Sequence, residues 1–208
     1  MRFSPYAWSE KDMIGGNAAL DFVNTASGWS GGDPVDRLGG PEGLGAWAGA
    51  AGLLYGADLT RLKKELAADP KAAARLFDDA LTLRAALWRI FTAVASDGKV
   101  LESDLEILDQ SKVRAASCCR IVRDGDGFRR RCADETPALE SALRLIVEAA
   151  EDLLLNGRLD RLHACGGDHC EWMFLDLSKN GRRRWCSMAT CGNEAKVKKF
   201  RKRNKEAA

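Results

Sequence analysis

The sequence predicts a two-part chain. Residues 1–159 form a mainly α-helical N-terminal domain with one β-hairpin, and residues 160–208 form a small C-terminal four-cysteine module. Three observations carry this reading. Apolar residues recur with a 3.6-residue period through the first part. Four cysteines fall in two matched pairs near the end, and the sign of the charge changes between the two parts. From Asp160 onward there are twelve Lys and Arg against six Asp and Glu, a net charge of +6. The preceding 159 residues hold twenty basic and twenty-four acidic groups, a net charge of −4.

The elements follow in chain order. In Gly15–Thr25, the apolar residues Ala19, Leu20, Phe22 and Val23 lie at helical spacing, with Asn17, Asp21, Asn24 and Thr25 on the other side. Two readings stand for these four polar residues. They form a pocket for a small-molecule effector, or Asn17 caps a helix and the rest make local backbone bonds. Pro41 opens a short helix through Leu44, Trp47 and Leu54. Leu76, Ala80, Leu83, Leu87, Ile90 and Val94 make a continuous stripe, predicting a central helix from about Lys71 to Ala95 that ends at Asp97-Gly98. Ser103 and Glu106 have the spacing of a capping box for the next helix, which contains Leu105 and Leu108. Arg120–Arg123 and Phe128–Arg130 flank Asp124-Gly125-Asp126-Gly127 as a hairpin around an Asp-Gly turn. That turn lacks the further acidic ligands of a calcium loop. Thr136-Pro137 supplies N-cap and first-turn chemistry for a helix carrying Leu139, Leu143, Ile146 and Leu153.

Cys165-x4-Cys170 and Cys186-x4-Cys191, fifteen residues apart, can close a tetrahedral tetrathiolate site on zinc. Met1–Asp12 is mixed and polar, so no export is expected, and no apolar run approaches the roughly 18–20 residues of a membrane span. In the reducing cytoplasm expected for such a chain, paired cysteines hold metal more often than each other. An iron–sulfur cluster is the minor alternative. His163 or His169 replacing one cysteine is the less economical ligand set. Cys118, Cys119 and Cys132 lack a second matching pair and read as small hydrophobes or bystanders near the hairpin.

Within the module, Glu171–Asp176 reads as a strand and Asn180-Gly181 as a type I′ turn. Arg182–Cys186 reads as the returning strand, and Asn193–Arg203 as a helix with Val197 and Phe200 facing inward. The order is knuckle, hairpin, second knuckle, helix. Trp172, Phe174 and Trp185 supply the apolar core, and Cys191 sits at the helix start, where the dipole favours a thiolate. Metal binding contributes on the order of 10–16 kcal/mol in such units. The module is therefore expected to unfold without metal while the helical body stays folded.

Seven basic residues and no acidic one lie between Lys196 and Lys205. With the strand arginines, this nominates Arg182, Arg183, Arg184, Lys196, Lys198, Lys199, Lys202 and Arg203 as phosphate contacts. Such contacts position a protein on DNA without reading bases. Docking on an acidic protein partner is a rival reading. RNA binding, with Trp172 or Trp185 stacked on bases, is another. Neither Gly15-Gly16 nor Gly31-Gly32 lies in a phosphate-loop pattern. No catalytic constellation emerges, since four thiolates would leave a metal no open position. The body is left for sensing or homodimerisation, and no membrane partner is expected.

Trp185–Asn193, followed by Ala195-Lys196-Val197 and a basic helix, resembles the bacterial CGNR zinc-finger family, and Cys165–Asp176 fits the same pattern. Gly15–Thr25 with the later Leu44-Gly45-Ala46-Trp47 resembles the ABATE domain that precedes such fingers. The resemblance implies a stress-induced transcription regulator whose finger binds DNA. One position departs from it: Glu194 stands where the family name has arginine. A carboxylate there suits the helix dipole but adds negative charge beside the phosphate surface.

Overall fold

The computed structural model describes the backbone of residues 2–3, 6–30, 35–133, 136–168 and 170–206, with side chains for all of these except 2, 3, 132, 205 and 206. Seven α-helices lie among them: α1 (Ala18–Val23), α2 (Pro41–Ala50), α3 (Ala57–Ala68), α4 (Pro70–Ala95), α5 (Glu102–Ser117), α6 (Ala138–Asn156) and α7 (Asn193–Glu206). The strands are β1 (Arg2–Phe3), β2 (Ala26–Ser27), β3 (Val35–Asp36), β4 (Cys119–Asp124), β5 (Gly127–Cys132), β6 (Leu162–Ala164) and β7 (Met173–Leu175).

The apolar stripe of α4 does what its period demands. Ala80, Leu83, Leu87 and Ile90, with Phe91 beside them, are buried, and α1, α2, α3, α5 and α6 all pack on this helix. From α6, Leu139, Ile146, Val147 and Leu153 enter the same core, and Phe22 of α1 meets Trp47 of α2 with ring centroids 5.3 Å apart. The start of α2 lies so close to the preceding chain that a Cβ on Gly43 would stand 1.7 Å from the Leu38 carbonyl oxygen. Only glycine fits there without moving backbone.

Helix starts differ from the sequence expectation where tertiary partners take over. α5 begins at Glu102, with Leu101 at the cap and no side-chain cap bond, so the Ser103–Glu106 capping box does not form. In that first turn Asp104 instead takes a bidentate bond from Arg89. α6 begins after Pro137, and Thr136 is not its cap. Its orphan Ala138 N–H donates to Glu65 of α3 at 2.8 Å. Asp69 caps α4, accepting from the Ala72 N–H at 2.9 Å.

The N-terminal hairpin forms as β4 and β5 in continuous antiparallel register. Its two-residue loop is Gly125-Asp126, with Gly125 at φ 59°, so glycine occupies the first central position that a type II′ turn needs. A further small sheet, ordered β1-β3-β2, has strands of two residues and shows no period a sequence could reveal. It places Asp36 opposite Arg84, a cation set within the α4 core face. Arg84 is 1% exposed, bonds Asp36, and donates to Thr25 Oγ1 at 2.8 Å. Burial alone would raise the Asp36 carboxyl. The Arg84 bond and charge, with the N–H groups of Leu38 and Gly39, hold it below its ordinary value.

In the C-terminal part the strand pair is β6 with β7, antiparallel, with Leu162 opposite Leu175 and Ala164 opposite Met173. This corrects the expected return strand: Arg182–Cys186 is not a strand. Its backbone bonds elsewhere, the Arg183 N–H to Asp176 Oδ2 at 2.8 Å and the Arg184 carbonyl to the Gly166 N–H at 2.8 Å. The Asn180-Gly181 turn is not type I′ either, because only Gly181 has positive φ.

Arg84→Ala is expected to lower unfolding free energy by about 3–5 kcal/mol, since it strands a buried carboxylate. Asp36→Asn in the same background should recover part of that loss. Urea denaturation of both variants measures the difference.

Candidate metal centre and basic surface

The four cysteines come from two loops. Cys165 and Cys170 lie in the connection between β6 and β7. Cys186 precedes, and Cys191 falls within, a wide helical turn at Met188–Gly192 that runs into α7. The first knuckle is shaped by backbone bonds. Cys165 N–H donates to the Trp172 carbonyl at 2.8 Å and Cys170 N–H to the Gly167 carbonyl at 3.3 Å. A Cβ on Gly167 would lie 2.9 Å from the Cys191 Cβ, so this position must stay bare for the knuckles to meet. The second loop is held by Ser187, whose hydroxyl accepts the Ala189 N–H at 3.2 Å, and by Asn193, which donates to the Ala189 carbonyl at 3.2 Å.

All four Sγ atoms lie within 4.8 Å of one another. Cys170 and Cys186 are 3.6 Å apart, Cys186 and Cys191 3.7 Å. One ion with metal–sulfur bonds of about 2.3 Å sets tetrahedron edges of about 3.8 Å. The cluster therefore fits a single tetrahedral metal, and it is too tight for several irons to stand between the thiolates. The N–H groups of Gly167 and Cys186 donate to Cys165 Sγ at 3.4 and 3.2 Å, the outer bonds that steady a metal-bound thiolate.

Electrostatics agree. Hydrogen bonds from the Cys170 and Cys186 thiols hold Cys165 down at about 2, while Cys170 is pushed up to about 12 by its bond to Cys165. Cys186 is likewise driven upward, first by Cys165 and then by Cys170. Crowded without a positive charge among them, the thiols cannot all ionise, and a cation resolves the conflict. His163 is no ligand: it lies on β6 with its ring 6.0 Å from that of Phe174, and among the described residues the metal-competent cluster is Cys165, Cys170, Cys186 and Cys191. His169 lies outside the described residues, as do Gly31 and Gly32.

Phe174 is fully buried beneath the site, with Ile14, Trp172 and Trp185 packed around it. Arg183 covers its ring at 4.2 Å. That guanidinium is committed inward, donating to the carbonyls of Ile14 at 3.2 Å, Trp185 at 3.1 Å, Leu175 at 3.5 Å and Cys186. The nomination of Arg183 as a phosphate contact is therefore corrected: it stitches backbone together. Asp176 does the same from the other side, its carboxyl held at about 2 by Ser178 and the Arg183 N–H.

The other nominated cations are on the surface. Arg182, Arg184, Lys196, Lys198, Lys199, Lys202 and Arg203 are exposed, Arg184 over the Trp185 ring at 5.4 Å and Lys198 paired with Asp168. The side chain of Lys205 is not described. Lys198, Lys199 and Lys202 line a groove beside Cys191 that also receives Glu194 and Asp168. Val197 and Phe200 do not face inward as expected. They are 48% and 59% exposed, and the main element contact of α7 is with the turn before it.

Asn17, Asp21, Asn24 and Thr25 are brought together, yet their polar atoms serve the fold. Asn17 accepts the Ala19 N–H at 2.8 Å and donates to the Ala149 carbonyl. Asp21 accepts from Gly15 N–H at 2.7 Å. Asn24 donates to the Met173 carbonyl at 2.9 Å and accepts the Met173 N–H at 2.7 Å. Thr25 donates to the Phe22 carbonyl and accepts from Arg84. The principal cavities of the described residues are lined by none of the four. Two further site residues gave no sequence signal. Glu171, at φ 55°, holds the N–H groups of Trp29 and Ser30, and Ile14 joins the small core around Phe174, 160 positions further along the chain.

A helical body fused to a four-thiolate, single-metal knuckle with a projecting basic helix defines a finger-bearing metal-binding protein. Residues 16–157 match the family described as "Putative stress-induced transcription regulator" (ABATE), and residues 161–204 match the CGNR zinc finger. The chain belongs to the ABATE family and carries a CGNR zinc finger after that domain. No curated protein matches it. No helix among the described residues is long and apolar enough to cross a membrane.

The packing refines the expected outcome of metal removal. Leu162 and Met173 sit in the body's core. Stripping the metal with a chelator should expose the amides of Cys165, Gly166, Cys186 and Gly192 to hydrogen exchange while Met173 and Leu175 stay protected.

A second expectation concerns pH. Burial pushes the Asp21 carboxyl up from 3.8 to about 6, against the pull of the Gly15 and Ile14 N–H groups. Its ionisation thus favours the unfolded chain as pH rises from about 4 to 6, costing on the order of 3 kcal/mol by neutrality and nothing below about pH 3.8. Asp21→Asn should raise stability at pH 7, and the gain should vanish near pH 4 in denaturation curves.

Proposed function

We propose that this protein is a DNA-binding transcription regulator in which the four cysteines hold zinc as a structural ion. Zinc would be bound by Cys165, Cys170, Cys186 and Cys191, and it would supply shape and charge balance with no open coordination position. On this reading the chain is not an enzyme. The carrying observation is α7: a helix that leaves the body and bears only positive charge from Lys196 to Lys205. Such a surface is self-repelling without an anion, and polyphosphate backbones supply regularly spaced negative charge. Arg182 and Arg184, exposed on the loop before Cys186, add further positive charge to the finger. The body would sense a signal or dimerise, in a cytoplasmic protein.

One observation favours a second reading, a protein partner with acidic and apolar groups. Val197 and Phe200 interrupt the basic surface as exposed apolar side chains, which phosphate contacts do not require. RNA stacking draws less support, since Trp172 lies under Arg37 and Trp185 under Arg184.

Titration of zinc-loaded protein with duplex DNA at increasing salt separates these readings. Five phosphate contacts would weaken binding about 500-fold between roughly 50 and 200 mM salt. Lys199→Ala should weaken binding to all sequences alike and flatten the salt slope by about one unit, whereas Phe200→Ser should change little. Absence of duplex binding at low salt, or dependence on Phe200 alone, favours the protein partner.

A further inference from the structure

Three cysteines outside the metal centre meet at the open end of the β4–β5 hairpin, where α5 hands over to it. Cys118 is the last residue of the helix cap, Cys119 opens β4 and Cys132 closes β5. Cys119 and Cys132 are register partners. The Ala133 N–H donates to the Cys118 carbonyl at 2.8 Å, just outside that pair. With alternation along an antiparallel ladder, Cys119–Cys132 is therefore a non-hydrogen-bonded pair, whose Cα atoms stand about 4.5 Å apart. That lies within the roughly 4.4–6.8 Å a disulfide spans.

The neighbouring thiol is a poorer partner despite its closeness. Cys118 Sγ is 3.9 Å from Cys119 Sγ and donates to the Ala115 carbonyl at 3.2 Å. Adjacent residues, however, hold their Cα atoms about 3.8 Å apart across a trans peptide, short of the disulfide range. Cys119 also lines an open cavity of about 230 Å³ between α5, α6 and the hairpin. Lys112, Arg120 and Arg130 line it too, with Glu148 and Glu151 paired to Arg130 and Lys112. A small oxidant has access there.

We propose that Cys119 and Cys132 form a reversible, peroxide-responsive disulfide, separate from the metal centre. The Cys119 thiolate attacks one oxygen of hydrogen peroxide; the O–O bond breaks and hydroxide leaves, giving a sulfenic acid. The Cys132 thiolate then attacks that sulfur, the S–S bond forms, the S–O bond breaks and a second hydroxide departs. With the two thiol protons, two waters result: two thiols are oxidised and one peroxide is reduced. In a reducing compartment the pair returns to thiols by exchange.

The test uses the full, zinc-loaded chain treated with a small excess of hydrogen peroxide, with metal release followed in parallel. Non-reduced tryptic peptides are mapped by mass spectrometry. The expected product links the peptide containing Cys118 and Cys119 to that beginning at Cys132, with loss of two hydrogens, about 2 Da. It should form before metal is released, reverse with a thiol reductant, persist in Cys118→Ser, and be absent in Cys119→Ser and Cys132→Ser. Four results would overturn the proposal: a link within the Cys118-Cys119 peptide, a link to Cys132 that survives Cys119→Ser, first oxidation at the metal cysteines with metal loss, or no disulfide. Mapping the unsubstituted chain decides the matter even if a serine variant fails to fold.

Discussion

The side-chain amide of Asn24 is the joint on which the two parts of this chain depend. It takes the place of a neighbouring strand, donating to and accepting from the same residue, Met173, 149 positions away. Both backbone groups of Met173 are buried, and each would carry a desolvation penalty if left alone. Around this joint the chain adds a Leu175 N–H bond to the Gly15 carbonyl at 2.8 Å, the Glu171 carboxylate on Trp29 and Ser30, and Arg183 on Ile14. The finger is thus seated on residues 14–30 by polar contacts from Asn24, Leu175, Glu171 and Arg183. Metal shapes the knuckles, but β6 and β7 belong to the body's core.

Charge is handled differently in the two parts. In the body, arginines meet carboxylates across elements: Arg84 with Asp36, Arg89 with Asp104, Arg130 with Glu148. In the finger, four thiols are pressed together until their ionisation conflicts, and the helix beyond them gathers cations on a surface. The crowding of the thiols is one that a metal cation resolves. Glu194 sits between the two, lining the groove beside Cys191 with three lysines.

Much of the fold was legible because long helices repeat their signal. Leu83, Leu87 and Ile90 are buried as the period required, and the β4–β5 hairpin formed where turn residues interrupt alternating strands. The cysteine pairs gave the metal cluster, since only four matched thiols were available at a fixed spacing. Short elements were not legible. Two-residue strands have no period, and β6 was missed because Leu162–Ala164 is too brief to show one. Arg182–Cys186 looked like a returning strand beside a turn signal, yet Asp176 and Gly166 claimed its backbone first. Asn17, Asp21, Asn24 and Thr25 had the chemistry of a pocket, and the same hydrogen-bonding capacity closed the space instead.

The sequence by itself therefore determined the helical class, the division of charge and the four-thiol centre, because periodicity, net charge and ligand spacing are local properties. Tertiary structure alone decided which strand pairs with β7, that Arg183 turns inward while Arg182 and Arg184 stay out, and that Val197 and Phe200 remain in solvent. The inward turn of Arg183 rests on the Ile14 carbonyl 169 residues away, as the burial of Arg84 rests in part on Thr25, 59 residues away. No local pattern encodes that, because a polar side chain carries the same hydrogen-bonding groups whether its partner is a ligand, a phosphate or a distant backbone carbonyl.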